Sequence, residues 1–222
     1  MNALTRKLLA KEFHQHRWMM VGATAVGLAT LPTASSSESG FNLATVVWLT
    51  AIIALGVMLA LFGVSNERKE RSRLFVLSLP LSPQDYVRIK LLGLLICFLL
   101  PWLALSAGAV ALVLAAPGIA DGLLPYVLLL CAYLLLNFAV VLSAAMHVQS
   151  EAVMSGVIIL TNMSVSLFMS RVGMVPGIGE HMGQAVPVWT SGFWLVLALE
   201  LGATALALSL PLFVAARRRD AL

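Results

Sequence analysis

Between two long apolar runs, Phe41–Val64 and Leu91–Ala116, the chain reads Asn66-Glu67-Arg68-Lys69-Glu70-Arg71-Ser72-Arg73-Leu74-Phe75-Val76-Leu77-Ser78-Leu79-Pro80, and then Ser82-Pro83-Gln84-Asp85. The first part is a charged head followed by an apolar tail. Glu67 precedes Arg71 by four residues, the favourable order for a helical ion pair, and Pro80 cannot continue a helix. Serine as N-cap, proline at the first helical position and an acid at the third then start a new helix. That helix runs through Tyr86, Arg88 and Lys90 into the next apolar run. The reading is a short, partly apolar surface helix joined by a tight turn to a membrane-spanning helix. A solvated loop has no need of Leu74, Phe75, Val76 and Leu77 in a row, so either the inner ends of the bundle or a partner protein covers them.

The rest of the chain has the same character. Of its 222 residues 60% are hydrophobic and 11% are charged, where a soluble domain carries about a quarter. Mean hydropathy is +0.96. A spanning helix takes roughly 20 residues, and six apolar segments meet that need to differing degrees: Trp18–Thr33, Phe41–Val64, Leu91–Ala116, Leu123–His147, Ala152–Arg171 and Phe193–Ala216. The predicted fold is an all-α integral membrane protein, a single transmembrane domain over residues 1–222. The longest stretch between spans, residues 66–89, leaves no room for a soluble catalytic domain. Cys97 and Cys131 both sit in apolar runs and read as small buried hydrophobes rather than a disulfide or a metal site.

Charge sets the expected orientation. Arg6, Lys7, Lys11 and Arg17 precede the first span, Arg68, Lys69, Arg71, Arg73, Arg88 and Lys90 lie between the second and third, and Arg217, Arg218 and Arg219 close the chain. With both termini in the cytoplasm all of these are inside, and Arg171 alone is outside. The basic pI near 9.4 is then a topology signal. Nucleic-acid binding would need a basic face on a folded module, and none is present.

Residues 1–17 are expected to form an amphipathic helix resting at the headgroup level, with Leu4, Leu8, Leu9 and Phe13 on one half and Arg6, Lys7, His14 and Arg17 on the other. Glu12 intrudes on the apolar half. His14 and His16 point to different sides, which argues against a metal site. A basic region before a short apolar run also fits a cleavable signal peptide, but the length and helical patterning of this one favour a retained helix.

The run Glu67, Glu70-Arg71, Leu77-Ser78-Leu79-Pro80-Leu81-Ser82, Tyr86-Val87 and Lys90 resembles the loop between spans two and three in permease subunits of type-2 ABC exporters. Six spans, inside termini and an amphipathic first helix agree with that resemblance along the whole chain. It implies a dimeric permease, homodimer or heterodimer, in a bacterial cytoplasmic membrane and driven by a separate ABC ATPase, with two copies of the ATPase expected. It also implies that the helix in residues 66–89 couples ATPase motion to the spans, with Glu67, Glu70, Arg71, Phe75 and Leu77 as the coupling residues. No cofactor is expected on this chain, and ATP is expected in the partner: there is no G-x-x-x-x-G-K-[ST] anywhere. Bilayer lipid is the other expected partner.

Polar residues inside apolar runs mark a candidate path. Glu200 lies in the outer half of the last span, where an acid costs about 2.5–3.5 kcal/mol to insert and faces the bundle or a cavity. It reads equally well as a point on the transport path and as a helix–helix hydrogen bond. Arg171 is its one plausible cationic partner. Asn137 and Asn162 join it as path candidates, although packing between helices accounts for them, for Ser164, and for Gly22, Gly27, Gly56 and Gly63. Residues 172–191 are apolar yet broken by Gly and Pro. They fit either an element dipping back into the outer leaflet or a hydrophobic surface loop, with Trp189 and Trp194 suited to the interface.

Two other functions compete. A stand-alone ion-coupled transporter would use Glu200 as its coupling carboxylate, but such folds show repeats of broken helices and none is found. A membrane-embedded enzyme has less support: there is no H-E-x-x-H or G-x-S-x-G, and His147 with Glu151, four apart, is explained by a helix-end hydrogen bond.

Overall fold

The protein is described by a computed structural model covering residues 3–66, 83–116 and 118–217. Six helices run in sequence: α1 Ala3–Thr30, α2 Glu38–Ala60, α3 Pro83–Ala115, α4 Leu124–His147, α5 Glu151–Val172 and α6 Ser191–Arg217. There is no strand among the described residues. Helices α2 to α6 are each long and apolar enough to cross a membrane. The chain is a multi-pass membrane protein.

The boundaries follow local chemistry. Pro32 stands at the start of a 3-10 turn, Leu31–Ser35, that ends α1. Ser37 caps α2 by accepting from the Gly40 N–H at 3.0 Å. Ser150 caps α5 in the same way, with Glu151 in its first turn. Pro101 and Pro211 lie inside α3 and α6 without ending them, as membrane helices tolerate when neighbours re-satisfy the backbone.

Helix α1 departs from expectation. Residues 3–30 form one uninterrupted helix, not a separate interfacial helix followed by a span. No glycine or proline lies between Ala3 and Val21 to end it. Its 28 residues extend about 42 Å at 1.5 Å each, and it runs parallel to α3 over most of that length. Glu12 sits against Gly93, Gly27 against Leu105, and Leu28 and Leu31 against Gly108.

Helix α2 returns antiparallel, with Trp48 at the level of Leu105 and Gly63 at that of Leu94. Helix α4 is the hub and touches α2, α3, α5 and α6. At its centre Phe98 of α3 and Phe138 of α4 stack at 3.9 Å, with Gly56 of α2 against both rings. Helix α5 packs on α4 and is the barest of the set, burying only Met154, Val165 and Val172. Helix α6 runs parallel to α4 and also touches α3. This topology gathers the start of α1, the end of α2, the start of α3, the α4–α5 turn and the end of α6 at one end of the bundle, called the base below.

The opposite end carries residues 172–191 as a compact cap made of turns and one 3-10 turn, Gly179–His181. Val172, Ile178 and Phe193 close over Leu129 of α4. The cap is sewn down by the Gly122 N–H donating to the Gln184 carbonyl at 2.8 Å. A side chain at Gly122 would collide with the His181 carbonyl, so glycine is required there by close approach. Gly177 has φ 80°, a conformation that glycine alone adopts without cost. Trp189, Phe193 and Trp194 form an aromatic group on this cap, with successive centroids 4.9 and 5.0 Å apart.

Candidate functional site

The coupling residues of the sequence reading, Glu67, Glu70, Arg71, Phe75 and Leu77, lie outside the described residues. Their two stems are described. Helix α2 leaves the bundle through a π turn, Leu61–Asn66, a widened form of helix frequent at functional sites. Within it Gly63 lies directly on Leu94 of α3. The chain re-enters at Pro83 with Asp85 in the first turn of α3, as the cap chemistry predicts.

Two turns into α3 the base holds a polar cluster that sequence reasoning did not assemble. Lys90 Nζ donates to Glu12 Oε1 at 2.7 Å, and the two side chains are 4% and 7% exposed. His16, one turn on from Glu12 and fully buried, places Nε2 3.6 Å from Glu12 Oε2, too far for a hydrogen bond. The intrusion of Glu12 on an apolar helix face thus has a physical account: that face meets α3, and the carboxylate meets a lysine 78 residues away. The available signal was one acid and one lysine, each on the apolar side of its helix. His14, by contrast, is exposed and contacts Arg17 at 3.3 Å.

Glu200 is buried, and neither carboxyl oxygen has a hydrogen-bond partner among the described residues. Arg171 does not pair with it. The arginine is exposed at the end of α5, and α5 packs on α4, whereas Glu200 belongs to a helix that packs on α4 and α3. Thr204, one turn below, turns its hydroxyl onto the Glu200 carbonyl at 2.8 Å and leaves the carboxyl bare.

The asparagines belong to a seam between α4 and α5. Asn137 Nδ2 donates to the Thr161 carbonyl at 2.8 Å, the Tyr133 hydroxyl donates to Ser164 Oγ at 2.8 Å, and Ser164 donates in turn to the Thr161 carbonyl at 2.6 Å. Tyr133 also stacks on Phe168 at 4.1 Å. Asn162 is half-buried, with its carbonyl oxygen unpartnered among the described residues. Gly27, Gly56 and Gly63 are points of close helix approach, while Gly22 faces open space.

His147 and Glu151 do not share a helix. Helix α4 ends at His147, whose Nδ1 donates to the Ser143 carbonyl at 2.8 Å, and Glu151 opens α5. A crevice of about 330 Å3 lies beside His147 between α4 and α6, lined mainly by Val140, Ala144, Ala207 and Leu210. Cys97 and Cys131 are both buried and free.

These features describe a membrane-embedded helical bundle with polar groups held inside it and, among the described residues, no assembled catalytic set. No curated protein and no solved structure matches the chain. The family model for ABC-2 family transporter proteins matches residues 1–199. With apolar helices that cross the membrane several times and nine-tenths of its length under that match, the chain belongs to the ABC-2 transporter family and is a membrane permease subunit of an ABC transporter.

Proposed function

We propose that the chain is half of an exporter: two permease copies enclose the substrate path, and two copies of an ABC ATPase drive them through residues 66–89. The observation that carries this reading is the distribution of charge over the topology. All lysines and arginines except Arg171 and Arg17 fall at the base or in the segments leaving it, around the two stems of residues 67–82, and Arg17 stands halfway along α1. By the positive-inside rule that end faces the cytoplasm, where ATP is. ATP binds the partner, because this chain has no phosphate-cradling loop. Both termini inside follow from the same orientation, with α1 crossing alongside α3, and a bacterial cytoplasmic membrane is what the family resemblance implies. Glu67, Glu70, Arg71, Phe75 and Leu77 form the ATPase contact. Glu200, with Asn137 and Asn162, supplies the polar points of the path, since an acid in the bilayer is retained only facing protein or water.

Two measurements test this. Single cysteines at positions 35–39 and 180–184 are expected to react with an impermeant thiol reagent in intact cells, and cysteines at 68–73 are not. Labelling at 68–73 would overturn the orientation. Phe75→Asp is expected to abolish retention of the ATPase on the tagged permease while membrane insertion is unchanged. Wild-type retention would remove Phe75 from the contact, and absence of any co-purifying ATPase with the unmodified permease would remove the exporter reading altogether.

A further inference from the structure

The head of α3 is gripped from two sides by consecutive residues. Gly93 receives Glu12 of α1, whose Cγ lies 3.0 Å from where a Cβ would stand, and Leu94 receives Gly63 of the π turn that ends α2. One turn before them Lys90 closes the 2.7 Å ion pair to Glu12. Further up, the contacts of α1 with α3 are apolar: Gly27 with Leu105, and Gly108 with Leu28 and Leu31. Apolar packing between membrane helices has no hydrophobic driving force from lipid. A buried, charge-assisted hydrogen bond is directional and holds one donor to one acceptor at a fixed level. The pair therefore sets the axial position of α1 on α3, at the place where the chain re-enters the bundle from residues 67–82.

We propose that Glu12 and Lys90 are positioning residues that lock the base of α1 to the head of α3, so that motion delivered to α3 from its cytoplasmic side carries α1 with it. The ion pair makes one rigid body of the first and third helices, with α2 hinged against it at Gly63 and Leu94. His16, fully buried one turn on, lies beside the carboxylate with Nε2 3.6 Å from its Oε2. The inference rests on the reading that an ATPase acts through residues 66–89.

The test uses the full permease–ATPase complex in lipid bilayers, with spin labels at Gln15 and Arg88, both exposed. The native thiols at Cys97 and Cys131 are buried and escape the label. In the wild type, the 15–88 distance is expected to be narrow and identical with and without trapped ATP. In the neutral Glu12→Gln/Lys90→Gln protein it is expected to broaden and to shift with nucleotide. The reversed pair Glu12→Lys/Lys90→Glu is expected to restore a narrow, nucleotide-independent distance. A wild-type distance that changes with ATP would overturn the proposal, as would a neutral variant as narrow as wild type. If the neutral variant fails to fold, a folded reversed pair with a broad distance overturns it just as well. A second label pair, at Arg88 and the exposed Glu180 of the cap, reports on the drive itself. If that distance ignores ATP, the ATPase reading falls, while the nucleotide-free widths of the 15–88 pair still decide the lock.

Discussion

Glu12→Ala is expected to destabilise the bundle by up to about 3–5 kcal/mol, because it removes the carboxylate that the buried Lys90 ammonium binds at 2.7 Å. The size of the effect comes from desolvation rather than from the attraction itself. Taking two ions out of water costs nearly as much as their pairing returns, so removing one partner forfeits the return and keeps the cost. For the same reason Glu12→Met/Lys90→Met, which removes both charges and keeps most of the volume, is expected to be close to wild type in stability. Thermal unfolding of the purified permease, followed by the survival of its monodisperse elution peak, separates the two outcomes. Equal losses in the single and double variants would mean that packing against Gly93, not charge, holds the site.

Glu200→Leu is expected to raise stability and to abolish export. A buried carboxyl with both oxygens unpartnered costs about 1–3 kcal/mol that no contact among the described residues returns. Leucine removes that cost and adds apolar contact with α4 and α3. Glu200→Gln keeps shape and hydrogen-bonding capacity but not the ionisable group. If the acid serves the path, both variants assemble with the ATPase and neither exports. The opposed signs of the two effects distinguish function from architecture, since a structural acid loses stability on replacement and a functional one gains it. Full export by both variants would remove Glu200 from the path. A loss of stability in Glu200→Leu would show that another chain, or a residue outside those described, supplies its partner.

Much of this protein is determined by the sequence alone, for a physical reason. A bilayer of fixed thickness demands apolar runs of fixed length, so the ends of α2 to α6, except the start of α3, can be read within a few residues from Phe41–Val64, Leu91–Ala116, Leu123–His147, Ala152–Arg171 and Phe193–Ala216. Ser82-Pro83 marks the start of α3 by its own cap chemistry, and the motif around Leu77-Ser78-Leu79-Pro80 points to the family that the match over residues 1–199 establishes. What the sequence does not contain is adjacency. Apolarity tells a helix to enter the membrane but not which helix to lie against, because lipid satisfies an apolar face as well as a neighbour does. The pairing of α1 with α3 rests on Glu12 finding Lys90 and on glycines admitting Leu28, Leu31 and Leu105. Trp48 bonding the Leu105 carbonyl at 3.1 Å and Trp102 bonding that of Cys131 at 2.9 Å fix α2 and α4 against α3 in the same way. Glu200 shows the limit most clearly: the sequence offers Arg171 as its partner, and only the packing of α5 onto α4 and of α6 onto α4 and α3 decides that the two do not pair.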